Sequence, residues 1–140
     1  MKISFTIPIK PCAWQRAGKS GKTHFTPAKT AKFESAIRLY ASQAMADKAI
    51  LDEPLEVTLC FFHALPKSAK KYEKEGVDKG MFYGKTTKPD IDNLAKAVLD
   101  GMNGVVYRDD ALIWRLGVMK VYHKNDEIQI NVSTTNDEEE

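Results

Sequence analysis

The chain has 140 residues, 43% of them hydrophobic and 29% charged, which suits one soluble domain with a modest core and is too short for two ordinary ones. No apolar run reaches the length of a membrane span, and the prolines at 8 and 11 interrupt the N-terminus too early for a signal peptide. Two cysteines in unrelated contexts, Cys12 and Cys60, exclude a disulfide framework or a zinc-finger spacing and point to a reduced, cytoplasmic setting with no small-molecule cofactor motif.

The net charge of +2 conceals an asymmetry. Residues 1–48 carry nine Lys/Arg against Glu34 and Asp47, whereas residues 125–140 carry six acids and no Lys/Arg. A basic half fits a polyanionic partner, because Lys and Arg bind phosphates and release counterions; a merely solvated surface is the plainer account of the same charges. Residues 135–140 read as an acidic, disordered tail, leaving 1–134 as the domain.

Ile3 to Ile9 alternates as a strand, with Pro8 and Pro11 marking its edge or its end. The stretch from Trp14 to Phe25 reads as a glycine-flexed hairpin or mobile loop. Its Gly-Lys-Ser-Gly-Lys-Thr run lacks the spacing and the strand-to-helix setting of a phosphate loop. Were the polyanion a nucleic acid, Arg16, Lys19 and Lys22 would grip its phosphates, while Trp14 and Phe25 either stack on an unpaired base or pin the loop to the core. A helix follows from Pro27 to about Lys48, with Phe33, Ala36, Ile37, Tyr40, Ala41 and Ala44 as its apolar stripe and Lys29, Lys32 and Arg38 on its other side. Leu55 to Leu65 is β-branched and aromatic enough for a central strand; His63 near its end is a possible ligand or an ordinary core residue.

Residues 66–88 hold seven Lys against three acids, with a short helix expected over Ser68–Glu75. The length of this connection points to a functional loop bringing Lys79, Lys85 and Lys88 near the next segment. That segment, Lys88 to Leu112, concentrates the chemistry. Leu94, Ala97, Val98, Gly101 and Met102 lie on one helical face, and Asp92, Lys96 and Asp100 form an i, i+4, i+8 row on another. Pro89 disfavours helix before it, so Asp90 and Asp92 stand at the mouth of that helix. After a turn at Met102-Asn103-Gly104 and a short apolar run ending in Tyr107, a second acidic pair arrives at Asp109-Asp110. One reading makes Asp90 an N-cap and Asp92–Lys96 a surface ion pair. The other brings the two acidic pairs together around a hard cation, Mg²⁺ or Mn²⁺, since crowded carboxylates repel and oxygen-only ligation suits such ions.

Leu112 to Tyr122 and Ile128 to Val132 read as an antiparallel pair joined by a turn at 124–126. The order of elements argues an α+β or mixed α/β domain with one mixed sheet and two main helices. An EF-hand is excluded because Ala95 and Gly101 occupy the positions that need Gly and Glu. A haloacid-dehalogenase-type phosphatase fits badly, since Lys85-Thr86-Thr87-Lys88-Pro89 precedes Asp90 where an apolar strand is required.

The run KPDIDNLAKAVLDGMNGVVYRDD resembles the signature of the RusA family of Holliday-junction resolvases, through Asp90, Asp92, Asn93, Leu94, Lys96, Asp100, Asp109 and Asp110. That resemblance implies an Mg²⁺-dependent endodeoxyribonuclease that cuts four-way junctions in pairs of symmetric nicks, acting as a homodimer on branched DNA. It points to Asp90, Asp92 and Asp110 as metal ligands, with Asp109 as a further one, and to Lys96 as a residue needed for cleavage. Lys120 falls where the family often has a strand lysine. Lys29, Lys88 and Lys120 join Arg16, Lys19 and Lys22 as expected DNA contacts. A non-catalytic, structure-selective DNA-binding protein is the alternative.

Overall fold

The computed structural model describes residues 1–15, 18–20, 23–25 and 28–135, with side chains described outside 18–20 and 23–25. Strand β1 (Lys2–Ile7) is followed by a two-stranded ribbon, β2 (Gly18–Ser20) and β3 (Thr23–Phe25), which matches the expected hairpin. Helix α1 (Ala28–Met45) buries Thr30, Phe33, Ile37, Ala41 and Met45, the i, i+3, i+4 stripe that the sequence spaces out. It stops at Met45, three residues before the expected end, because Ala46 takes a left-handed backbone with φ of 50°.

Strand β4 (Leu55–Ala64) leads to α2 (Lys71–Asp78) and the two-residue β5 (Tyr83–Gly84), then α3 (Ile91–Met102), a 3₁₀ turn (Asp110–Leu112), β6 (Ile113–His123) and β7 (Glu127–Thr134). Helix α2 lies three residues later than expected, its start set where the Glu73 carboxylate accepts from the Lys70 backbone N–H at 3.0 Å.

Among the described residues five strands form one mixed sheet in the order β1-β7-β4-β6-β5. Here the expected β6–β7 hairpin is corrected. Strand β4 lies between them, parallel to β6 and antiparallel to β7. The three-residue connection therefore crosses the end of β4, and Asp126 Oδ1 accepts the Ala64 N–H at 2.8 Å. Val57, Leu59 and Phe61 of β4 align with Val132, Ile130 and Ile128 of β7, and all six are buried. With Ile3, Ile7 and the inner faces of α1 and α3 they form the core. This is the expected single α+β domain, its two main helices α1 and α3 joined by the short α2. Among the described residues no helix is long and apolar enough to cross a membrane.

Helix α3 crosses α1 closely at Gly101, where an added Cβ would stand 2.7 Å from Ile37 Cβ. That contact sets the depth at which the row of Asp92, Lys96 and Asp100 is carried.

Candidate active site

Asp90 occupies the N-cap of α3 with extended backbone (φ −72°, ψ 141°), and its carbonyl accepts from Leu94 N at 3.1 Å. Its carboxylate makes no capping hydrogen bond; instead Oδ2 pairs with Lys88 Nζ at 3.2 Å. The backbone of Asp90 thus serves the helix, and its side chain is left to other chemistry. Asp92, in the first turn, is exposed and has no ion-pair partner among the described residues. Lys96 turns away from it to Asp100, 3.4 Å off, and stands 4.9 Å above the centre of the Trp14 ring. Trp14 is held there by its backbone N–H, which donates to Asn93 O at 2.8 Å. The expected Asp92–Lys96 surface pair is therefore replaced by Lys96–Asp100, and Trp14 packs against the chemistry-bearing helix.

The far end of α3 shows how the second acidic pair is aimed. Asn103 N donates to Asp100 O rather than to Leu99 O, so the Leu99 carbonyl needs another donor. Tyr107, fully buried, supplies it through its hydroxyl at 2.7 Å. Arg38 of α1 also reaches this end of the helix, donating to Asn103 O at 3.1 Å and to Asp100 O at 3.4 Å. Burial raises the Tyr107 pKa far above its usual value, and the negative charges of Asp110, Asp100 and Asp109 push it the same way. It remains a neutral donor.

Asp109 Oδ1 accepts the Ala111 N–H at 3.1 Å and so caps the 3₁₀ turn. Asp110 follows as the first residue of that turn. Partial burial raises its pKa, then a hydrogen bond and like charge from Asp109 and the charge of Asp100; Lys96 opposes them. The Asp109–Asp110 pair thus shares an electrostatic field with Asp100 and Lys96. Glu34 of α1 belongs to the same field: burial and then Asp100 raise its pKa, against Arg38 and Lys96.

Among the described residues no three Asp, Glu, His or Cys side chains assemble as a metal-holding group. The donor chemistry nonetheless fits a hard divalent ion. The set is oxygen-only, and the field that raises Asp110 is one that a cation relieves. Mg²⁺ is commonly held by one or two carboxylates with water and substrate phosphate oxygens, so two carboxylates suffice before DNA arrives.

Residues 7–133, nearly the whole chain, match the family described as endodeoxyribonuclease RusA. The chain belongs to the RusA endodeoxyribonuclease family. A relative from Bacillus subtilis (strain 168), the uncharacterised protein YqaN, is 33% identical over 136 residues, covering 93% of this chain and 94% of its own length. The RusA signature run and the acidic field described above occupy the same stretch of α3 and the turn after it.

Beside the RusA signature lies a basic groove of about 410 Å³, whose walls include Lys10, Lys29 and Lys88, with Asp90 and Asn93 also lining it. Lys29 and Lys88, both expected DNA contacts, are thus brought together with Asp90. Lys10 joins them without having been singled out; the proline-bracketed Lys10-Pro11 at the strand's end was its only local mark. Arg16 and Lys22 lie outside the described residues, as does the side chain of Lys19. Lys120 is differently placed. Its ammonium donates to Thr87 O at 2.7 Å and Pro89 O at 2.8 Å, inside the structure that leads to Asp90. His63, expected as a possible ligand, is buried, and no side chain among the described residues hydrogen-bonds either ring nitrogen; the Val121 backbone is its polar neighbour.

Proposed function

We propose that this protein is an Mg²⁺-dependent endodeoxyribonuclease that resolves four-way DNA junctions by paired, symmetric phosphodiester hydrolysis. The observation that carries the reading is that Asp110, in the 3₁₀ turn beyond α3, interacts electrostatically with Asp109 and with Asp100 and Lys96 of α3, the helix whose N-terminal end presents Asp90 and Asp92. Family membership supports the chemistry, and the groove with Lys10, Lys29 and Lys88 supports a phosphate backbone passing beside Asp90.

Asp90, Asp92 and Asp110 would hold the metal, with Asp109 committed to the cap of the 3₁₀ turn and able to contribute through its second oxygen. The chemistry such an ion would supply at these carboxylates is polarisation of the scissile phosphate and a lowered pKa of the attacking water. Lys96, exchanging Asp100 for substrate, offsets negative charge developing on the phosphate or orients the water. Lys10, Lys29 and Lys88 fix the register of the strand without reading its sequence. The products are a 3′-hydroxyl and a 5′-phosphate. A two-fold homodimer presents two equivalent sites to the two equivalent strands of a junction.

A second reading is a structure-selective DNA-binding protein without catalysis, which the groove with Lys10, Lys29 and Lys88 would serve equally well. A labelled four-way junction incubated with protein and Mg²⁺ separates the two. Paired symmetric nicks, abolished in Asp90→Asn while junction binding persists, are the expected result. A retarded complex that is never cut, at any Mg²⁺ or Mn²⁺ concentration, would leave the binder as the correct reading.

A further inference from the structure

Residues 85–89 form the approach to Asp90, and strand β6 grips them at several points. Lys85 N donates to Lys120 O at 2.9 Å, continuing the short β5–β6 pairing. The Lys85 ammonium donates to Thr87 Oγ1 at 2.7 Å and to Tyr122 OH at 3.1 Å, and Thr87 Oγ1 lies 3.3 Å from the same tyrosine hydroxyl. Lys120 Nζ then bonds the carbonyls of Thr87 and Pro89.

Lys120 is an unusual residue for its position. It aligns with fully buried Phe61 of β4, so its stem rises from the sheet face that otherwise carries the core. A half-buried ammonium at such a place is costly unless its N–H groups are satisfied. Lys120 makes no ion pair among the described residues; carbonyl oxygens alone receive its charge. The second of those carbonyls belongs to the peptide unit that also contains the Asp90 nitrogen. Because that unit is planar, fixing the Pro89 oxygen fixes the plane from which the Asp90 Cα departs.

We propose that Lys120, assisted by Tyr122, is a positioning residue that sets the orientation of Asp90 through the Thr87 and Pro89 carbonyls, rather than a contact to DNA phosphate. The inference rests on the reading of Asp90 as part of the cleavage machinery. It distinguishes Lys120 from Lys10, Lys29 and Lys88, which line the groove.

The test compares wild type with Lys120→Met and Tyr122→Phe. Groups that orient metal ligands commonly change metal affinity or activity by 10–100-fold when lost, so Lys120→Met is expected to need at least about tenfold more Mg²⁺ for half-maximal cutting. Loss of the single Tyr122 hydroxyl should raise that midpoint by about fivefold, the equivalent of one net hydrogen bond. Junction affinity measured without metal should stay within about twofold for both variants, with an unchanged dependence on salt. A phosphate contact would behave oppositely, weakening metal-free binding and lowering the slope of log affinity against log salt by about one. Hydrogen exchange in metal-free protein gives a readout independent of cleavage: peptides spanning 83–94 should exchange faster in Lys120→Met while β4 peptides do not. If wild type cuts nothing, the nuclease reading fails, and the exchange result still decides whether Lys120 holds this segment. Unchanged exchange, or a loss of salt-dependent affinity with an unmoved Mg²⁺ midpoint, would overturn the proposal. Should Lys120→Met fail to fold, Tyr122→Phe carries the same comparison.

Discussion

Replacing Tyr107 with Phe removes one oxygen and, by the geometry, uncouples the two halves of the proposed site. The hydroxyl is the donor that satisfies Leu99 O, the carbonyl left over when Asn103 N bonds Asp100 O. Tyr107 is fully buried, so water cannot take the place of the lost group without opening the core. An unsatisfied buried acceptor costs about 1–3 kcal/mol, and we expect about 2 kcal/mol here. For a chain of this length that corresponds to a fall in melting temperature of about 5–10 °C. The same change loosens the turn from α3 to Asp109 and Asp110, so junction cutting should fall even at temperatures where the variant is fully folded. Tyr83→Phe is the control, since its hydroxyl reaches Tyr72 O only at 3.5 Å; we expect its stability to stay within about 0.5 kcal/mol of wild type. Thermal and urea unfolding of both variants, with cutting measured at 25 °C, makes the comparison. Tyr107→Phe as stable as Tyr83→Phe would refute the capping argument.

Gly101→Ala should lose about 1 kcal/mol: overpacking against Ile37 costs about 1–3 kcal/mol, and the better helix propensity of Ala returns only about 1 kcal/mol of it. A stabilised Gly101→Ala would show that α1 and α3 are less tightly apposed. For His63, burial lowers the pKa, with Lys85 acting likewise and Asp126 and the Val121 backbone opposing. The unfolded chain therefore takes up the proton first, and the stability due to neutral His63 is present above the unfolded-state pKa and lost as pH falls below about 6.5. His63→Leu should match or exceed wild type at pH 7 in urea unfolding and gain further on it at pH 5; parallel pH profiles would count against the assignment. Mg²⁺ or Mn²⁺ should raise the melting temperature of wild type by relieving carboxylate repulsion, and Asp92→Asn should show little or no rise. An equal rise in both would remove Asp92 from the ligand set.

Much of this architecture was legible because its signals are local. Pro89, the apolar face from Leu94 to Met102 and the turn at Gly104 delimit α3 to within a residue of Ile91–Met102. What sequence could not supply was a choice between locally equivalent partners. Lys96 has an acid one turn away on each side, and acid-before-lysine order would favour Asp92. Trp14, more than eighty residues upstream, settles the matter by packing under the side chain that pairs with Asp100. A three-residue link ordinarily makes a hairpin, so β6 and β7 read as partners; only the earlier β4, inserted between them, prevents it. Tyr107 looked like the end of an apolar run, and nothing nearby announced that its hydroxyl would be called on by Leu99. Lys120 carried the charge of a DNA contact, but the segment it holds comes from thirty residues before it.

The central place of β4 has a consequence for how the chain is made. Its two sheet neighbours, β6 and β7, are both synthesised after it, and among the described residues β1 pairs only with β7, so Lys2 meets Ser133. Until residues 113–123 have left the ribosome, β4 has neither hydrogen-bonding edge occupied, and the edge that pairs Val57, Leu59 and Phe61 with β7 stays open until residue 134 follows. Such an edge invites pairing with other chains. The growing polypeptide thus carries its stickiest strand uncovered for roughly half its length, and chaperone demand in the cell should peak there and end when β7 closes the gap.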